Sequence, residues 1–492
     1  MPLQSTNRVK ISKVRESTFG VTPTSPVFKT QRTTSSGLAI NPKTVTSDEI
    51  DSNREVKDLI LVGYEAGGDI AGELSFGAAD DDLEEALQGT WATKPFRDNA
   101  GVADSIITAV VASSDTYTVN TGAAFVAGHL VFASGFDNAA NNGLFVAQTG
   151  TSATSVAAPA SPGLVDEAAP PGAAVLRVVG FQGAAADLAA TTVGGNGLTS
   201  TALNFTTLGL NVGEWVLVGG VAANTFFATA ASNGWCRISA ISANRLSFDR
   251  VPTGFATDTG TGKTIQVFTG DFLKNGSTQR SNTFERQYLD HSPVTYEYIR
   301  GQVLDTLAIN VPQQEKVTFT KTYMGSDGVV ATSRVSGATD LAASTGDVLN
   351  SSSNVGRLGF DGASIAGSVF MSEITLSIAN NLRRQNAVGS IGAIGIGAGE
   401  LNITGSMNTY FGDKSILDKV MNNTLTSLDF RVGRADGAKP QIVFDLPSIK
   451  LSSGSPSVSG KNADVMLNAN YQAIKSATYG YTISVGRFFY TP

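Results

Sequence analysis

Asp290, His291 and Ser292 stand side by side, and an acid, an imidazole and a hydroxyl are the parts of a nucleophilic triad. Neighbours on a strand point to opposite faces, whereas a triad must converge, so the run is not read as catalytic. GTGKT at 260–264 mimics the end of a phosphate-binding loop, but Thr257 occupies the place of its first glycine and no helical pattern follows, so it reads as a turn. SIGAIGIGAGE carries spaced glycines before a strand at Leu401 rather than before a helix, the wrong context for a dinucleotide, and reads as a flexible loop. His129 and His291 are the only histidines and Cys236 the only cysteine, too few for a zinc site or an HExxH arrangement. Cys236, between Trp235 and Ile238, reads as a small core residue. Asp80, Asp81, Asp82, Glu84 and Glu85 cluster as calcium ligands do, but they open a helical pattern whose N-terminus favours negative charge, and that reading is preferred. No carboxylate pair stands out for glycoside hydrolysis. The expected catalytic, cofactor-binding and metal-binding residues are therefore none.

The elements that would position such groups point away from enzymes. The 492 residues exceed one core, so two to four domains are expected. Hydrophobic residues make up 41%, charged ones 16%, and glycine is abundant, a balance that suits short strands and turns. A net charge of −7 argues against gripping nucleic acid phosphates. The start, MPLQSTNRVKISKV, has no apolar core of a signal peptide, and no run of about 18 apolar residues predicts a membrane span.

Residues 1–55, with Pro23, Pro26 and Pro42 and little periodicity, read as an extended N-terminal arm reaching a neighbour, or as a disordered tail. A first domain comprises 56–100 and 268–334. In it Leu59–Tyr64 forms a strand, and a second has Ile70, Gly72, Leu74 and Phe76 on one face. The helix DDDLEEALQG follows, turning Leu83, Ala86 and Leu87 to one side and ending at Gly89. Val303, Leu307, Ile309 and Val311 share one side of a later strand, and Val317, Phe319 and Tyr323 one side of the next. Over 101–267 charged residues become sparse, which marks an insertion. Its two stretches with Gly128 and Gly213, then Asn142-Gly143 and Asn233-Gly234 hairpin turns, predict two small tandem β modules. A linker at 335–356 leads to a second domain, 357–492. GDIAGELSFGAADDDLEEALQGTW can be laid on GELNITGSMNTYFGDKSILDKVMNNTLTSL, with Gly72 on Gly405, Leu74 on Met407, Leu83 on Ile416 and Leu87 on Val420. The chain thus reads as two copies of one strand-and-helix domain.

The runs TSDEIDSNRE, GDIAGELSF before the short helix, and RGQVLDTLAINV resemble the tail tube proteins of long, flexible-tailed (siphovirus-type) bacteriophages, over most of the chain outside 101–267. The resemblance implies a mainly β fold: two tandem tail-tube-type β-sandwich or barrel domains, each with a short flanking helix, plus the inserted β modules on the outer surface. It implies a structural virion protein, not an enzyme, that polymerises into stacked rings forming a hollow tube for DNA passage into the host. With six tube domains per ring, two from each chain, the rings would be trimeric and pseudo-hexameric. The arm would bridge rings, so deleting residues 1–50 should leave rings but no tubes. Implied partners are the chain itself and the tape-measure, tail-terminator and tail-tip proteins. DNA would pass without specific binding, along an acidic or neutral lumen that repels phosphates. No membrane or cofactor is implied, and the implied location is the virion tail, assembled in the bacterial host cytoplasm. The alternative is a β-rich surface adhesin or carbohydrate-binding virion protein, with Trp215 and Trp235 stacked on sugars, although both also read as core residues. A polysaccharide-degrading virion enzyme is a third reading, and would need paired carboxylates and a solenoid repeat.

Overall fold

The computed structural model describes the chain except for residues 1, 2, 51, 54, 121–123, 162 and 365–369. Its plan follows from alternation. Phe319, Lys321 and Tyr323 are buried while Thr318, Thr320 and Thr322 face outward, and the same period of two recurs in Met371–Ala379 and Met466–Ala473. Such strands join into one antiparallel run. Its order is Ala39–Thr46, Leu59–Glu73, Thr318–Gly325, Thr295–Pro312, Met371–Ala379, Asn402–Tyr410, Met466–Ala473 and Gln441–Ser457.

Two strands of the run belong to two sheets. Thr295–Pro312 turns a corner at Gly301 (φ 67°), so its first half pairs with Asn282–Tyr288 and its second with Thr318–Gly325. Gln441–Ser457 likewise pairs first with Thr426–Gly433 and then with Met466–Ala473. The layers enclose a shared core that includes Leu304, Leu307, Phe430, Phe444 and Leu451. Helix α1 (Asp80–Ala86) adds Leu83 and Ala86 to it, and α2 (Ser415–Met421) adds Ile416.

The halves of the molecule repeat strand for strand. Val9–Arg15 pairs with Asn282–Tyr288 as Val355–Phe360 does with Thr426–Gly433. Both sandwich strands carry bulges at matching places, between Leu304 and Thr306 and between Leu451 and Ser453. These bulges fix the equivalence, with Tyr323 matching Tyr471 and their cross-strand partners Gly68 and Gly405 matching each other. The alignment of Gly72 with Gly405 is thus four residues out of register, because a Gly-rich strand fits its counterpart in more than one way.

The structure corrects further expectations. Residues 9–46 are not an arm: Val9–Arg15, Val27–Thr30 and Ala39–Thr46 are strands of the first copy, with Phe28 and Ser12 fully buried. Their prolines hid the period, and Pro42 sits on an edge strand, where a missing N–H is tolerated. Deleting 1–50 would therefore remove sheet strands. Asp51 and Arg54 of the TSDEIDSNRE run lie outside the described residues. The strands expected at 59–64 and 70–76 are one strand, Leu59–Glu73, continued through Gly67 and Gly68 at positive φ, where Gly68 meets the Gly37 backbone too closely for a Cβ. Val303 leaves the face of Leu307 because the bulge at Asp305 shifts the phase. Segment 335–356 is not a free linker: Thr339–Leu341 pairs in parallel with Val27–Lys29, and Leu349 is buried.

Between α1 and Asp271 the chain builds a separate pair of cores, one over Ile107–Val178 and one over Phe181–Val267, spanned by a single sheet through Val175–Gln182. The loops at Asn142 and Asn233 match, but neither Asn-Gly is the turn. A 3-10 turn reverses the chain, and the side chain of an Asn with extended backbone then clips it, Asn142 Oδ1 accepting from Phe136 N (3.0 Å) and Asn233 Oδ1 from Phe227 N (2.8 Å).

Candidate functional site: a polar sheet face, its edges and its charged anchors

Directly opposed residues share a face, so the ladders can be followed across the molecule. One row runs Ala71, Thr320, Ala308, Ser377, Thr404, Gln472 and Lys450. The next runs Glu73, Thr318, Asn310, Thr375, Ser406, Asn470 and Ser453, and a third Pro312, Glu373, Asn408, Asn468 and Ser455. The face is a wall of hydroxyls and amides. Its charges in these rows are Glu73, bonded to Lys316, with Glu373 and Lys450. The opposite sides of these strands form the core.

The run continues from the first copy into the second inside one chain. Thr306–Pro312 pairs with Glu373–Ala379, from Thr306 opposite Ala379 to Pro312 opposite Glu373. At the outer ends, among the described residues, Ala39–Thr46 pairs only with Leu59–Glu73, and the second half of Gln441–Ser457 only with Met466–Ala473. The molecule therefore ends in two sheet edges of opposite kind.

One hairpin projects beyond the run. Its strands carry Leu59, Ile60, Leu61 and Val62, 42–61% exposed, with Val45 beside Ile60. The equivalent segment of the second copy, between Ala379 and Asn402, is folded back. Tyr64 N donates to Ile391 O (2.8 Å), and Arg384 Nη2 donates to Ala66 O (2.9 Å).

The acidic helix is an anchor. Asp82 accepts from Lys13 Nζ (2.7 Å) and Lys321 Nζ (2.9 Å), and Glu85 accepts from Lys13 (2.9 Å), all four side chains being buried. Burial pushes the Asp82 carboxyl up, but the two ammoniums prevail and hold it well below the usual range. Asp81 pairs with Lys29, Glu84 with Arg15, and Asp80 with Arg487, so every carboxylate of the run meets at least one cation. The signal for this cluster was Lys321 itself, a lysine in the apolar phase of VTFTKTY. In the second copy Phe360 and Ala469 occupy the places of Lys13 and Lys321.

A second anchor joins the inserted unit to the second copy. Arg237, fully buried, donates from Nη1 to Asp445 Oδ1 and Oδ2 (3.0 and 3.1 Å) and from Nη2 to Asp249 (2.6 Å). Burial, reinforced by Asp429 across the ladder and opposed by Arg237, leaves the Asp445 carboxyl pushed up to about 6. Trp215 and Trp235 pack here against Val443 and Phe488, and are not available to stack on sugars.

The remaining residues singled out in the sequence do not converge. Asp290 accepts from Arg8 Nε (2.9 Å), and His291 meets Thr295 Oγ1 (2.9 Å). His129 is buried, its imidazole lowered to about 4 by that burial and by Lys94. Cys236 is core. GTGKT is a turn leading into the strand Gln266–Thr269, and the glycines of SIGAIGIGAGE, read as a loop, include a short strand, Gly395–Gly397, paired with Arg383–Gln385.

No curated protein matches the sequence. A family model described as phage tail tube protein matches it twice, over residues 6–239 and 217–473. Both copies of the strand-and-helix domain lie largely within those matches, and among the described residues no helix is long and apolar enough to cross a membrane. The chain is a structural component of a virion tail rather than an enzyme, and it belongs to the phage tail tube protein family.

Proposed function

We propose that three copies of this chain close into a pseudo-hexameric ring, and that such rings stack into the hollow tail tube through which the phage genome enters the host. The observation that carries this reading is the internal junction, where one tube domain hands its sheet to the next without a break. Six such domains close a ring when three chains repeat that step. The Thr, Ser and Asn face lines the lumen, since a nearly neutral wall offers DNA phosphates nothing to release counterions against. The domain division follows: the first tube domain takes in most of residues 1–55 besides 56–100 and 268–334, and 357–492 forms the second. The unit at 101–267 sits on the outside, a placement supported by the way Val443 and Asp445 meet it while Phe444 and Leu446, alternate on the same strand, enter the core. Tape-measure, tail-terminator and tail-tip proteins are its partners in a long flexible tail assembled in the host cytoplasm.

Electron microscopy of the purified protein tests the reading. End-on views should show hollow rings with a three-fold outer rim; a ring of six chains refutes the trimer. The projecting hairpin, apolar on both faces, provides the contact between rings that the sequence assigned to an arm. Replacing Leu59 and Leu61 by serine should leave rings intact and abolish tubes, because both side chains are exposed in the isolated chain. Tubes of normal length from that variant would remove the hairpin from stacking.

A further inference from the structure

Resting on the ring reading, we infer that the junction between neighbouring chains copies the internal one residue for residue: the edge at 453–459 pairs antiparallel with the edge at 35–41 of a second copy, Ser455 opposite Ala39 and Ser453 opposite Asn41. The occupant of each free edge is thus the opposite edge of a second copy of this chain.

The register follows from equivalences already fixed. Matching bulges set Thr306 on Ser453 and Pro312 on Ser459. Gly68 on Gly405 sets Ala39 on Ser377 and Asn41 on Ala379, and the pairing of Ser35 with Ala71 sets Ser35 on Glu373. Within the chain, Ala308 faces Ser377 and Thr306 faces Ala379. Carried to the edges, these pairs become Ser455 with Ala39 and Ser453 with Asn41. The polar rows then continue across the boundary with Ser, Ala and Asn, and Val458, 80% exposed, takes the place that Val311 holds in the core.

Hydrogen bonding is consistent with this register. Gly37 N donates to Asp69 O, so the amides of Leu38 and Ile40 point outward to the free edge. Leu38 would face Pro456, which has no N–H to give it, and its carbonyl accepts instead from Arg286 Nη2 (2.7 Å). Pro42 occupies the place of Asn380, whose amide bonds Asp305 O inside the chain (2.8 Å). The copy between chains therefore keeps the register with fewer hydrogen bonds, and prolines on both edges discourage wrong pairing before assembly.

Cysteine pairs read the register in tubes of the full-length protein. The one native thiol, Cys236, is buried. Ser455→Cys with Ala39→Cys should oxidise to covalent trimers on a denaturing gel, since directly opposed strand residues lie within disulfide reach. Ser453→Cys with Ser35→Cys, six positions out of register, should remain monomeric. Tubes in which the first pair stays monomeric, or the second cross-links equally, overturn the register while leaving the ring reading in place. Loss of rings from the unsubstituted protein would overturn both.

Discussion

Asp82→Ala should cost the first tube domain about 3–5 kcal/mol, because it removes the carboxylate that two buried lysines share and leaves Lys321 without a countercharge. The loss is not that of one hydrogen bond. Lys13 would retain Glu85, but Lys321 would keep a 3.3 Å hydrogen bond to Gln31 Oε1 and the face of Phe319, neither of them a countercharge. Replacing both lysines and both acids together by apolar residues should cost far less, since no charge is then left unpaired, and the second copy already manages with Phe360 and Ala469 at the lysine positions. Urea unfolding of the unassembled chain measures the difference; a loss below about 1 kcal/mol for Asp82→Ala would show that water reaches the cluster. The pH dependence has a definite sign. A carboxyl depressed in the folded state contributes its full stability above its unfolded pKa of about 3.9, and loses it as pH falls through the depressed value. The wild-type chain should therefore lose this contribution only in strong acid.

Arg237→Leu carries a comparable expectation, about 3–5 kcal/mol, at the seam between the inserted unit and the second tube domain. It leaves Asp445 buried beside Asp429 with its two guanidinium bonds gone. The inserted unit has its own cores, so undocking should precede global unfolding and appear as a new low-temperature transition in calorimetry. A single unshifted transition would contradict this. Here the pH effect is reversed. With its carboxyl pushed up to about 6, Asp445 favours the native state most near and below about pH 3.9, and that contribution is lost as pH rises through about 6. Acidification to about pH 5 should accordingly rescue part of the docking lost by Arg237→Leu.

These anchors also show where sequence reading stops. Period-two alternation in strands such as Thr318–Gly325 and Met466–Ala473, the acidic helix, the low-charge insertion and the repeated strand-and-helix plan were all legible, because each is a local pattern of side chains. Together with the tail-tube resemblance they determined a β-rich structural protein of two tandem tail-tube domains. Three things were decided only by tertiary structure. Residues 9–46 look irregular alone and become strands because Asn282–Tyr288 and Leu59–Glu73, hundreds of residues away in one case, present ladders for them. The true register of the repeat depends on bulges, which shift phase without a residue signature. The pairing of Lys13 with Asp82 and of Arg237 with Asp445 joins distant segments, and no local pattern states which buried charge will meet which. Periodicity constrains which face of an element is buried; only packing chooses the partner that covers it.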